Sequence, residues 1–207
     1  MPWLAGAGRF VQSFTPSPLY LLMARALPYC FLLLLALAAC QKDDPTASLP
    51  AQTQEGRNTA GCFIDGQAFV AHAYGGGPLS APLPALAGGF AFDSSYYLSM
   101  RGQLNGEGVE VMLFLQGRQP GPYLLNRNTL YYPQATPRYV LSHATYRLAS
   151  SQEVYVTTAR HTGQVVLTKA NQVQGLSAGT FSFTAASTRD STRTITITEG
   201  RFDRGDW

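Results

Sequence analysis

The sequence is poor in the residues that catalysis and metal binding most often use. Its 207 residues include three cysteines and three histidines, and only 13% are charged. Cys30 and Cys40 lie within and at the end of an apolar leader, so Cys62 is the single thiol beyond it. No disulfide framework can form within that later part, which must cohere by burying apolar surface. Cys62 has no neighbouring base and no second cysteine, and reads as a small buried hydrophobe. Charge of one sign is also missing. Arg9 and Arg25 precede Cys40, leaving 13 basic and 12 acidic residues after it, a net +1. That balance excludes nucleic acid or an anionic surface as a partner selected by bulk charge. Arginine outnumbers lysine eleven to two there, with Lys42 and Lys169 the two lysines. Genome base composition explains that bias more readily than phosphate or carboxylate recognition. No internal repeat is visible, and no helical period is sustained beyond the leader.

What is present begins with an address. Residues 30–39 read CFLLLLALAA. Such a run is too short for a bilayer span, which needs about 20 apolar residues, and suits the core of a signal peptide. It ends in Leu37-Ala38-Ala39-Cys40, the lipobox pattern of a branched apolar residue, two small residues and a cysteine. The small residues let a peptidase close on the backbone, and the Cys40 thiolate carries the diacylglycerol. Residues 1–22 hold three prolines and one positive charge, whereas a start at Met23 gives a compact leader with Arg25 near its front. The expected organisation is a signal peptide over 1–39 (its true start at Met23), a lipidated flexible tether over 40–60, and a single domain over 61–207. Two or three acyl chains at about 0.8 kcal/mol per buried CH₂ make a permanent anchor. About 20 tether residues without apolar period would span roughly 25 Å.

The segment Gln41-Lys42-Asp43-Asp44 resembles the surface-export signal of Bacteroidota lipoproteins, in which a lysine and acidic residues closely follow the lipidated cysteine. The resemblance implies display on the outer face of the outer membrane. The alternative is a charged, solvated tether on a protein held at the periplasmic face.

Beyond Cys62 the pattern is that of antiparallel strands. Asp65-Gly66 and Asn105-Gly106 are dipeptides that take the positive φ of tight hairpins. They separate Cys62–Ile64 from Gln67–Tyr74 and Tyr96–Leu104 from Val109–Gln116. Period-two alternation is clearest in Thr180–Thr184, with Phe181 and Phe183 on one face, and in Thr194–Thr198, with Ile195 and Ile197. Tyr139–Leu141, Thr145–Ala149, Glu153–Thr158 and Gln164–Thr168 complete the expected strands. The fold class is therefore all-β, an antiparallel β-sandwich or flattened barrel of about nine to ten strands, with the sandwich favoured. Gly75–Gly89 reads as one long loop.

Gly179-Thr180-Phe181-Ser182-Phe183, with Ile195-Thr196-Ile197-Thr198-Glu199-Gly200-Arg201-Phe202-Asp203 after it, resembles the end of a Bacteroidota lipoprotein domain family of unknown function. Phe63-Ile64-Asp65-Gly66-Gln67-Ala68-Phe69 resembles the opening hairpin of that family. The resemblance supports the address and the fold, and brings no catalytic residues.

Candidate chemistry is thin. Gly175-Leu176-Ser177-Ala178-Gly179 fits the G-x-S-x-G elbow, but a strand rather than a helix follows it and no histidine occurs after His161. His72, His143 and His161 lie on separate segments with no i, i+2 pair to share a strand face, so no metal is expected. Asp65, Glu107 and Asp190 fall in expected turns, Glu110 and Glu153 on strands, and Asp203 and Asp206 in the tail with no calcium loop around them. Tyrosines are more suggestive: Tyr96, Tyr97, Tyr123, Tyr131, Tyr132, Tyr139, Tyr146 and Tyr155. Most suit buried strand positions with a wet hydroxyl. Tyr131 and Tyr132 are the candidate ligand-binding pair, because adjacent strand residues face opposite sides. The expected function is a non-enzymatic display or binding module without cofactor, anchored in a membrane and taking a glycan, peptide or protein ligand. An envelope hydrolase with an unrecognised site is the alternative.

Overall fold

The computed structural model describes residues 46–91, 94–125 and 141–206. Cys40, Lys42, Asp43, Asp44, Tyr131 and Tyr132 lie outside the described residues, as do the first two residues of the expected strand Tyr139–Leu141.

Eleven strands form among the described residues, and no helix. They are β1 (Thr59–Ile64), β2 (Gln67–Val70), β3 (Leu86–Ala91), β4 (Ser95–Leu104), β5 (Glu107–Leu115), β6 (Gly121–Leu124), β7 (His143–Leu148), β8 (Val154–Val156), β9 (Gly163–Asn171), β10 (Leu176–Ser187) and β11 (Thr194–Arg204). Nine follow one antiparallel path, β2-β1-β11-β10-β8-β7-β5-β4-β3. The path branches at β10, whose 12 residues are long enough to pair twice along one edge. Leu176–Phe183 pair with β9, and Ala186–Ser187 with β8. β9 in turn carries β6.

The sheet curls into a half-barrel, the barrel-like of the two expected all-β shapes. Contacts across its interior show the curl. Tyr96 on β4 stacks on Phe202 of β11 with centroids 6.2 Å apart, and its hydroxyl shares a 3.0 Å hydrogen bond with Ser177 of β10. Just beyond β2, the His72 N–H donates to the Arg101 carbonyl of β4 at 2.9 Å, drawing the ends of the path together.

Both expected hairpins form, with φ of 47° and 80° at Asp65-Gly66 and 53° and 80° at Asn105-Gly106. Alternation places Phe181, Phe183, Ile195 and Ile197 in the core beside Val165, Leu167, Leu98 and Val111. Two strands were not expected. β3 takes up the end of the Gly75–Gly89 stretch, pairing Leu86–Ala91 with Ser95–Met100. β6 is four residues long and contains a proline, which places it at the margin of the sheet.

The expectation of a flexible tether through residue 60 requires correction over its second half. The described residues from Thr46 to Asp206 belong to one compact unit. Leu49 is buried, and Thr59 and Ala60 already belong to β1. Residues 49–58 form a strap laid on the sheet. It escapes apolar-period reasoning because polar groups fix it in place.

Candidate functional site

The strap is held from three positions on β9 and β11. The Asp203 carboxylate, only 2% exposed, accepts from the Thr53 hydroxyl (2.5 Å) and from three consecutive backbone N–H groups. These are Glu55 (3.1 Å), Gly56 (2.7 Å) and Arg57 (3.3 Å). Burial alone would raise the Asp203 pKa, but the Thr53 hydroxyl and these N–H groups outweigh it and hold the carboxyl below its ordinary value. Lys169 Nζ donates to the Gln54 carbonyl at 2.9 Å, and Arg201 Nη1 to the Pro50 carbonyl at 3.4 Å. Gly61 permits the close approach, since a Cβ there would lie 2.8 Å from Pro50 Cδ and 2.8 Å from the Phe69 carbonyl oxygen.

Held in this way, the strap walls an open groove on the outer face of β9, β10 and β11. On β9, Gln164, Val166 and Thr168 alternate with the buried Val165 and Leu167. On β10, Thr180 and Ser182 alternate with Phe181 and Phe183, so the groove lies on the face opposite the core. One hollow of about 300 Å³ is lined by Gln52, Gln164, Val166, Thr180, Ser182 and Glu199, among others. A second of about 140 Å³ shares Gln52 and Thr180 and adds Thr53, Gln54 and Thr168. Amides and hydroxyls dominate the lining, with Glu199 its one titratable side chain among the described residues. Side-chain amides both donate and accept, as do hydroxyls, so the surface suits a ligand rich in hydroxyls.

The other candidates sit apart from this groove. Ser177 is buried within β10 and bonded to Tyr96, so its G-x-S-x-G motif is strand rather than elbow. A Cβ at Gly179 would lie 2.4 Å from the Val166 carbonyl oxygen, so that glycine serves close packing of β9 on β10. His143 is fully buried, stacks on Phe114 and bonds through Nδ1 to the Leu141 carbonyl. Burial lowers its pKa, and that carbonyl offsets part of the effect. His72 bonds to the Val70 carbonyl and His161 to Thr158. Among the described residues, no three His, Cys, Asp or Glu side chains group as a metal would require.

The carboxylates also serve the framework. Burial would raise the Glu110 pKa, but Ser99, Arg147 and Arg101 together bring it below its ordinary value. Buried Glu153 accepts from Ser187 and Arg193, each at 2.8 Å. Asp65 caps the first hairpin by accepting from the Thr196 N–H at 2.8 Å. Asp190 accepts from Thr192 within its turn, and Glu107 from the Ser150 N–H. Cys62 is buried, and burial pushes its thiol up to about 12. Tyr96, Tyr146 and Tyr155 are buried, as expected of strand tyrosines.

Sequence reasoning missed the groove because its walls come from a segment read as tether and from ordinary Gln, Thr and Ser. Asp203 was the available signal: a carboxylate deep in an alternating strand requires donors, and its donors lie about 150 residues away.

Comparison with curated proteins and with solved structures finds no match. Residues 90–205 match the model of a domain of unknown function, DUF6252. The matched span runs from β3 to the end of β11 and leaves the β1–β2 hairpin and the strap outside it. Since it covers more than half of the chain, the protein belongs to the DUF6252 family.

Proposed function

We propose that this protein is a lipid-anchored module of a bacterial cell envelope that binds a neutral glycan along the strap groove and performs no chemistry on it. The groove carries the reading: Gln52, Gln54, Gln164, Thr168, Thr180 and Ser182 converge there, and Glu199, ion-paired with Arg201 at 3.8 Å, is the only charged side chain in its lining among the described residues. Amide and hydroxyl pairs match the vicinal hydroxyls of a sugar ring, and the hollow is at the small end of the range for molecular ligands. The lipobox ending in Cys40 supports the anchor. Lys42-Asp43-Asp44, with the likeness of the closing strands to Bacteroidota lipoproteins, supports display at the outer surface of the outer membrane.

The experiment is a glycan array probed with wild-type protein and with Gln164→Ala/Thr180→Ala, two substitutions on outward-facing strand positions. The expected result is binding to a neutral oligosaccharide that falls at least tenfold in the variant, with the thermal unfolding midpoint unchanged. An array without hits, or a glycan bound equally by both proteins, would overturn the reading.

A further inference from the structure

At the C-terminal end of β11 the chain builds a second groove, of about 320 Å³, whose lining includes Asn58, Pro84, Ala85, Leu86, Arg204 and Asp206. Arg204 is set into its wall with its side chain only 12% exposed. A guanidinium carries five N–H donors, and those of a buried one are expected to be paired. Here Nη2 donates to Asp206 Oδ1, while Nη1 is buried beside Gly89 with no hydrogen-bond partner among the described residues. Asp206 is an exchangeable partner. Its side chain is 56% exposed and its backbone lies beyond the last residue of β11. The remaining wall is held independently, since Asn58 Oδ1 accepts from the Gly205 N–H at 3.1 Å. Pro84, Ala85 and Leu86 offer apolar surface to a ligand's carbon skeleton.

We propose that this groove binds a small carboxylate-bearing molecule on Arg204, and that Asp206 occupies the carboxylate position in the free chain. A ligand carboxylate that displaces Asp206 accepts from Nη2 and, in the bidentate geometry that guanidinium favours, also from Nη1, the donor Asp206 leaves unpaired. The site becomes a single positive charge once Asp206 swings out, which matches a monoanion. No bond is made or broken. The inference is independent of the glycan groove, which uses neither Arg204 nor Asp206.

The test is isothermal titration of the full-length protein with D-glucuronate and with N-acetylglycine, each against its methyl ester. The expected result is saturable binding of at least one acid and of neither ester. The acid that binds identifies the source as a sugar acid or a peptide terminus. Asp206→Asn is expected to tighten binding about two- to fivefold, the value of a partly exposed competing ion pair. Arg204→Lys, which keeps the charge but loses the fork, is expected to weaken it at least tenfold. Thermal unfolding of each variant reports its fold, and Asp206→Asn keeps the test decisive if Arg204→Lys unfolds. Acid and ester bound alike, no saturable binding of either acid, or an affinity unmoved by Asp206→Asn would each overturn the proposal.

Discussion

Asp203→Asn isolates the clamp that makes the strap part of the domain. The carboxylate receives four donors, three at Oδ2 (Thr53, Glu55, Arg57) and one at Oδ1 (Gly56). Asparagine keeps the shape but supplies one accepting oxygen. If that oxygen faces the three donors, its NH₂ meets the buried Gly56 N–H, which loses its 2.7 Å bond. Hydrogen bonds to a charged group contribute about 1.5–3 kcal/mol, and an orphaned buried donor costs about 1–3 kcal/mol. The variant should therefore be about 2 kcal/mol less stable. The strap can undock into water, which caps the loss near the worth of burying Leu49 together with these bonds. In a domain of this size, that is a fall of roughly 4–8 °C in the unfolding midpoint. Urea denaturation measures the total, and amide hydrogen exchange locates it at Glu55, Gly56 and Arg57. The pH dependence has a definite sign. The folded pKa of Asp203 lies below its ordinary 3.8, so its contribution is fully present above that value and is lost as pH falls through the lower folded pKa. Asp203→Asn should remove that part of the acid limb. A stability change under about 0.5 kcal/mol, or protection at residues 55–57 equal to wild type, would refute the clamp.

Three further outcomes are expected. Ser177→Ala and Tyr96→Phe should each cost about 1–2 kcal/mol by orphaning the partner's buried hydroxyl, while the double variant should cost clearly less than the sum; additive losses in denaturant titration would contradict the pairing. Cys62, buried and raised to about 12, should resist a thiol reagent at pH 8 in the folded protein and react on unfolding, so prompt labelling of native protein would disprove its burial. Protease treatment of intact producing cells should release peptides from β1–β11 while periplasmic controls stay whole; protection until the outer membrane is broken would move the domain to the periplasmic side and leave Lys42-Asp43-Asp44 a solvated tether.

Local chemistry was legible and long-range chemistry was not. Asp65-Gly66 and Asn105-Gly106 announce their turns because positive φ is a property of the dipeptide itself. Phe181, Phe183, Ile195 and Ile197 announce a buried face because strand alternation is strict. β3 was obscured by Gly88 and Gly89, whose φ of 114° and 135° are outside the usual strand range, and β6 by its brevity and Pro122. The branch at β10 depends on which strands find its edge, and no window of sequence encodes that. The strap is the extreme case: its residues lack apolar period, and what fixes them is a carboxylate on the far end of the chain. Arg204 was legible only as one of many arginines, since an unpaired nitrogen is a property of three-dimensional surroundings.

The most direct test of the functional reading is to titrate a glycan selected on the array into ¹⁵N-labelled protein and follow the backbone amides. Shifts concentrated at Gln52, Gln54, Gln164, Thr168, Thr180 and Ser182 are the predicted result. Shifts confined to the β2 or β3 edges, with those amides unmoved, would contradict it.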